Sequence, residues 1–263
     1  ARVVEAEAQV PLAIAEAYSG AVNVEQTGAL FAGTVTFDAL GLPIDAVGDG
    51  IDAASVADAD AEGELQLKWQ TSISGLSGIP GDYSRATPAI AGDLLILGDQ
   101  AGKAVSPDGY LFGISKATGA LVWRTKIAGG YPIMTQSATV VGGTAYIGVA
   151  SYEEALVRFG VPLSFRGEML AVDVATGAIR WATYTVPDGY TGGAVWGSAP
   201  AVDAKRNSLY IATGNNYSIP ASATACVSAA TTDAARAACI PASDMFDAIV
   251  SLDLTTGAVK WAM

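Results

Sequence analysis

Short apolar runs, broken by Gly, Asp, Asn and Pro, recur from Leu65 to the end of the chain. Four of them end in tryptophan, at Trp69, Trp123, Trp181 and Trp261. Three of these runs follow one turn, Thr118-Gly119, Thr176-Gly177 and Thr256-Gly257. Another run precedes each turn, at residues 110–115, 169–174 and 248–254, and Asp173 and Asp253 stand just before the last two turns. Runs of this length on either side of a Gly that supplies positive φ predict β-hairpins. A further pair of runs precedes each hairpin: 86–90 with 93–98, 137–141 with 144–148, and 198–202 with 208–212. Gly-Asp, Gly-Gly and Lys-Arg-Asn turns join them.

The repeating unit is therefore four antiparallel strands, the pattern of a propeller blade, and the fold class expected is all-β. The spacing between terminal tryptophans grows from 54 to 58 to 80 residues. The excess falls between the second and third strands, as long loops on one face, where binding loops usually sit. Each terminal tryptophan is expected to pack one blade on the next. Trp196 lies outside that register, between small residues, just before the first strand of its blade. The stretch from Gly192-Gly193-Ala194 through Trp196 to Gly214-Asn215-Asn216 suits a planar ligand lying on an indole, with an amide oxygen beside it for a hard cation.

Residues 1–63 do not share the rhythm. Residues 11–18 read as a short helix, 29–37 as a weak strand and 48–50 as a turn. The chain accordingly divides into an acidic, Ala-rich segment, 1–63, and a blade region, 64–263. Residues 1–64 hold twelve acidic residues and one basic residue, Arg2, so they carry −11 of the net −12. The blade region is close to neutral, has no basic patch and is not expected to bind nucleic acid. Its apolar content supports a large core, since 51% of the whole chain is hydrophobic and 15% charged.

The chain has no histidine, which removes His-based nucleophile systems, His-ligated zinc and Cys-x-x-Cys-His haem attachment. Catalysis would have to use carboxylates, amides, an oxygen-bound metal or an organic cofactor. The two cysteines, Cys226 and Cys239, fall in an Ala/Ser/Thr-rich segment, 221–242, that reads as a long loop. A disulfide there is favoured over two free thiols and would imply an oxidising compartment. No run reaches the roughly 18 apolar residues of a membrane span. The chain begins at Ala1, and a mature form or a fragment is expected.

The Ala-x-Asp-x-x-Thr-Gly-x-x-x-Trp blade endings (171–181, and 251–261 with Ser first) resemble those of the quinoprotein alcohol dehydrogenases, in particular the polyvinyl alcohol branch. The most specific stretches are 192–216, 148–154 and Phe165-Arg166-Gly167. The resemblance covers 65–263, about three blades of a larger propeller. It implies a partial β-propeller that binds pyrroloquinoline quinone and a calcium ion and oxidises an alcohol, polyvinyl alcohol or another secondary alcohol, in the periplasm or after secretion. An external cytochrome c type protein would accept the electrons. By this resemblance Trp196 would be the stacking floor, with Gly193 and Ala194 beside it. Thr135 and Ser151 would bind cofactor carboxylates, and Glu154 and Asn215 would bind calcium. Glu153 and Glu154 compete for that role on sequence alone, and either could be a solvated loop carboxylate.

Three departures accompany the resemblance. Leu163-Ser164 stand where many members have adjacent cysteines. The family's catalytic Asp and several of its ligands come from later blades, so no catalytic base is assigned within this chain. No haem motif is present. The competing expectation is a cofactor-free propeller that serves as a protein-binding scaffold, with Trp196 as packing.

Overall fold

The computed structural model describes residues 30–32, 53–59 and 65–263 other than 198. The expected helix at 11–18, the turn at 48–50 and all but residues 30–32 of the expected strand at 29–37 lie outside the described residues. Three meanders of four antiparallel strands follow one another, the second carrying a fifth, short strand. The first is β4 (Ala89–Ala91), β5 (Leu94–Gly98), β6 (Asp108–Ser115) and β7 (Leu121–Ala128). After the short β8 (Pro132–Ile133) comes the second: β9 (Thr139–Val141), β10 (Thr144–Ser151), β11 (Glu168–Asp173) and β12 (Ile179–Tyr184). β13 (Thr191–Gly192) pairs with β16 (Asn216–Ser218), and the third meander is β14 (Ala201–Asp203), β15 (Ser208–Ala212), β17 (Ile249–Asp253) and β18 (Val259–Ala262). Ahead of them β1 (Leu30–Ala32), β2 (Ala53–Ala59) and β3 (Leu65–Ser72) form a three-stranded sheet. This is a partial β-propeller, as the repeat predicts.

The Asp-x-x-Thr-Gly turn has a local cause. Asp173 Oδ1 accepts the Thr176 N–H and hydroxyl, both at 2.9 Å, and Asp253 does the same for Thr256 at 3.0 and 3.1 Å. The Arg180 guanidinium and the Thr176 hydroxyl hold the Asp173 carboxyl down at about 2. Gly119, Gly177 and Gly257 close these turns at φ of 71°, 75° and 73°.

Each turn receives the terminal tryptophan of the preceding sheet. The Trp69, Trp123 and Trp181 indole N–H groups donate to the carbonyls of Lys116, Val174 and Leu254 at 2.9, 2.8 and 3.3 Å. Their rings lie over the turn glycines so closely that a Cβ on Gly177 would stand 2.5 Å from Trp123 Cε3. These three tryptophans therefore lock blade to blade.

The core forms layers between blades. Ile96, Leu111, Ile147 and Leu170 pack in one cluster. Tyr146, Met169, Leu209 and Val250 pack in the next. Leu95, Leu97 and Phe112 face the other way, under the short helix Ile73–Ser77. Consecutive residues of the middle strands thus serve the layer in front and the layer behind. That is why those strands read as continuous apolar runs rather than alternating ones.

The first strands start later than the sequence reading placed them, at Ala89, Thr139 and Ala201. In two of the three blades a proline, Pro88 or Pro200, immediately precedes the strand, and proline has no N–H for a ladder. A second correction concerns the long loop expected at 221–242. It contains two helices, Ala221–Ala229 and Asp233–Ala237. Alanine's low entropic cost in a helix explains the first, and Thr232 caps the second by accepting the Ala235 N–H at 3.2 Å.

Candidate functional site

The long β10 runs on past its pairing with β9 and β11. Its last residues pair with β8, Ala150 with Ile133 and Ser151 with Pro132. The two glutamates that follow point to different surroundings. Glu153 is 1% exposed. Its carboxylate accepts the Ser164 N–H, the Ser164 hydroxyl and the Phe165 N–H, each at 2.7 Å. It is a clamp for the loop leading into β11. Glu154 is exposed and faces the Asn215 side chain, whose Nδ2 lies 3.4 Å from Glu154 Oε1. The two groups come from neighbouring blades.

Glu154, Thr135, Ser151 and Trp196 line one cleft of about 570 Å³. The Thr135 hydroxyl donates to the Trp196 carbonyl, and Gln136 Nε2 donates to the Val195 carbonyl at 3.0 Å. These bonds fix the backbone that presents the indole. Gly214 lies against the indole edge, where a Cβ would stand 3.0 Å from Trp196 Cδ1. The Ser151 hydroxyl donates to the Gly130 carbonyl and accepts the Glu153 N–H at 2.9 Å.

Gly193 and Ala194 are buried and are not among the residues lining the cleft. The Gly193 N–H donates to the Asn215 carbonyl and the Gly214 N–H to the Ala194 carbonyl, both at 2.8 Å. The glycine pair lets three chain segments meet: a Cβ on Gly167 would stand 2.0 Å from the Gly193 oxygen, and one on Gly192 would stand 2.4 Å from the Tyr217 nitrogen. Tyr217 stacks on Phe165 at 6.3 Å. Burial, followed by the Glu154 and Glu153 carboxylates, pushes its hydroxyl well above the ordinary tyrosine range. Leu163, at one of the two departure positions, is half-buried.

Sequence reasoning missed Arg85, Gln100 and Lys103, which line the same cleft from the first complete blade. Register carries a signal for one of them. Arg85, Thr135 and Gly197 each stand four residues before the residue that opens the ladder of their blade, namely Ala89, Thr139 and Ala201. All three line the cleft. Gln100 is 1% exposed, and its Nε2 has no acceptor among the described residues. No group of three or more His, Cys, Asp or Glu side chains that could hold a metal occurs among the described residues. A cation at Glu154 and Asn215 would therefore need further oxygen donors from a bound ligand or water.

Cys226 and Cys239 form a disulfide with their Cα atoms 5.7 Å apart. No helix among the described residues is long and apolar enough to cross a membrane.

Four-stranded blades and tryptophan locks between them define a propeller segment, and one cleft of it has the size of a small ligand. The chain belongs to the PQQ_2 family, whose model, described as outer membrane protein assembly factor BamB, matches residues 66–263. Among curated relatives, a polyvinylalcohol dehydrogenase of Sphingopyxis sp. (strain 113P3) is 30% identical over 166 residues, which is 56% of this chain and 22% of that protein. A polyvinylalcohol dehydrogenase of Pseudomonas sp. is 28% identical over 162 residues, 55% of this chain and 22% of that protein. The chain thus spans about a fifth of the length of these relatives. Among solved structures, the quinohemoprotein alcohol dehydrogenase of Comamonas testosteroni superposes with a TM-score of 0.56 at 21% identity. That match covers 80% of this chain and 32% of the neighbour, and it carries the fold.

Proposed function

We propose that this chain is the cofactor-binding part of an alcohol-oxidising quinoprotein, with pyrroloquinoline quinone and a calcium ion held in the 570 Å³ cleft. The observation that carries this reading is the meeting, from two blades, of Glu154 and Asn215 beside a cleft that Trp196 also lines. The residues fit the group. A half-buried indole offers a flat apolar face. A carboxylate and an amide supply the hard oxygens that calcium takes, once the Asn215 amide turns its oxygen toward the ion. Arg85 and Lys103 supply positive charge for cofactor carboxylates, and Gln100 Nε2 supplies a buried donor that lacks an acceptor.

When bound, the quinone supplies the two-electron acceptor for alcohol oxidation and the calcium ion a Lewis acid. The chain's own part is positioning. Thr135 and Gln136 hold the segment that carries Trp196, Ser151 and Glu153 hold the loop that aims Glu154, and Arg85 and Lys103 orient the ligand. Among the described residues Glu154 is the only carboxylate lining the cleft, and this reading gives it to the metal, so the alcohol proton goes to a base outside the described cleft. The electrons pass to an external cytochrome-type acceptor. The Cys226–Cys239 disulfide supports a periplasmic or secreted location.

A second reading is favoured by the description of the matching family model: a cofactor-free scaffold for protein–protein contacts. One titration separates the two. Adding pyrroloquinoline quinone with calcium should quench tryptophan fluorescence saturably, and Trp196→Ala should weaken binding about tenfold to a hundredfold. Glu154→Gln should remove the calcium dependence. Absence of saturable binding by the unaltered protein would sink the enzyme reading in favour of the scaffold.

A further inference from the structure

Residues 213–248 form an insert between β15 and β17 of the third blade. Asn215 stands near its start and Asp244 near its end, and Asn216 joins the two. Asn216 Nδ2 donates to Asp244 Oδ2 at 2.8 Å, and the Asn216 main-chain carbonyl accepts from Asn215 Nδ2 at 3.1 Å. Asn215 Nδ2 also faces Glu154 Oε1 at 3.4 Å. A line of polar contacts therefore runs from Asp244, through two amides, to Glu154 on the neighbouring blade.

Asp244 is 7% exposed and makes no ion pair among the described residues. Arg236 of the same insert pairs with Asp233 at 2.7 Å instead. Burying a carboxyl with one neutral partner costs stability. Burial accordingly pushes the Asp244 carboxyl up, against the Asn216 bond. Asp244 Oδ1 and Asn216 Oδ1 are both buried with no hydrogen-bond partner among the described residues, so each side chain is the other's one anchor. Asp244 itself is set firmly. Its N–H donates to the Pro241 carbonyl at 2.9 Å, and the N–H of the next residue, Met245, donates to the Thr185 carbonyl at 2.9 Å. The Met245 carbonyl accepts the Thr213 hydroxyl.

Asn216 needs an anchor because the sheet does not hold it on both sides. Before it, the Gly193 N–H donates to the Asn215 carbonyl at 2.8 Å. After it, the register of β13 and β16 shifts, with Tyr217 as the extra residue between the pairs Gly192–Asn216 and Thr191–Ser218. A bulge leaves its extra residue unpaired and re-aims the chain beside it. The Asn216 carbonyl leads into that residue, and the side-chain bond to Asp244 fixes what the ladder leaves free.

We propose that Asp244 is a positioning residue for the candidate cation site: it fixes Asn216, whose carbonyl then aligns the Asn215 side chain against Glu154. The inference rests on the cation reading above and adds to it a residue outside the cleft lining.

Two measurements test it, one of them without any cation. In the cofactor-free chain, Asp244→Ala should move the proton–nitrogen signals of the Asn215 side-chain amide toward those of a free asparagine. Asp244→Asn, which keeps an acceptor for Asn216, should restore them. In calcium titrations with pyrroloquinoline quinone, Asp244→Ala should weaken calcium about tenfold, with most of the loss regained in Asp244→Asn. Asn216→Ser cuts the same bond from the other side and should match Asp244→Ala, with no further loss in the double variant. Thr232→Ala removes the cap of the second insert helix and should change neither measurement. Asn215 signals unmoved in both Asp244→Ala and Asn216→Ser overturn the proposal. So does a calcium loss in Thr232→Ala or Asp244→Asn as large as that in Asp244→Ala. If the unaltered chain binds no calcium while the Asn215 signals still follow Asp244, the cation reading falls and the positioning of Asn215 stands.

Discussion

Asp82 and Asp99 are buried together, 1% and 0% exposed, and Asp99 directly precedes the cleft-lining Gln100. Burial, then the charge of Asp82, pushes the Asp99 carboxyl up to about 9, against the Tyr110 N–H donated to it at 2.9 Å. Burial raises Asp82 as well. A carboxyl whose folded pKa is raised binds more protons folded than unfolded, so it favours the folded state at low pH. That contribution falls as pH rises from the ordinary 3.8 toward about 9 and levels off above. Stability should therefore decline between neutral pH and about 9, and Asp82→Asn should flatten the decline in urea titrations taken at several pH values. A decline equally steep in Asp82→Asn would refute the pairing. At this scale the sequence was least legible. Glu153 and Glu154 are identical neighbours, and what separates them is the Ser164–Phe165 backbone, which arrives only when the loop folds back. Arg85 reads as an ordinary surface cation until the blade register shows that it shares its position with Thr135.

Strands and turns were largely legible, because their cause is local. The Asp-x-x-Thr-Gly turn is built from hydrogen bonds within four residues, and its glycine is required by both φ and the approaching indole. Gly177→Ala should cost more than Gly142→Ala. Both glycines have positive φ, at 75° and 57°, but only at Gly177 does a new Cβ meet a tryptophan. Gly142→Ala should cost about 1–2 kcal/mol of strain and Gly177→Ala at least about 1 kcal/mol more, read from denaturant midpoints. Equal costs would mean that Trp123 moves aside freely. The insert was misread because no apolar period marks its helices. Alanine propensity and one capping threonine make them, and the disulfide and the contacts of Thr213 and Met245 hold them.

For the whole molecule, repetition made the architecture readable, whereas the cleft required the blades to be placed side by side. Trp196, Glu154 and Asn215 could be picked out as chemistry in the sequence. That Glu154 and Asn215 meet, and that Arg85, Gln100 and Lys103 line the same cleft as Glu154, follows from the placing of one blade beside the next. Burial between blades is shared, so each sheet depends on its neighbours for much of its core, as in other repeat architectures.

The indole-to-carbonyl bonds give each seam between blades its own reporter. Trp69, Trp123 and Trp181 each donate one N–H across a different seam, whereas Trp196 and Trp261 donate to no carbonyl among the described residues. In deuterium oxide the first three indole protons should exchange slowly and the last two fast, as five separate signals read in one spectrum. If ligand binding tightens the contact between the second and third blades, the Trp181 proton should slow on addition of ligand while that of Trp69 keeps its rate. The chain thus carries a built-in gauge that measures, seam by seam, how a molecule in the cleft draws its walls together.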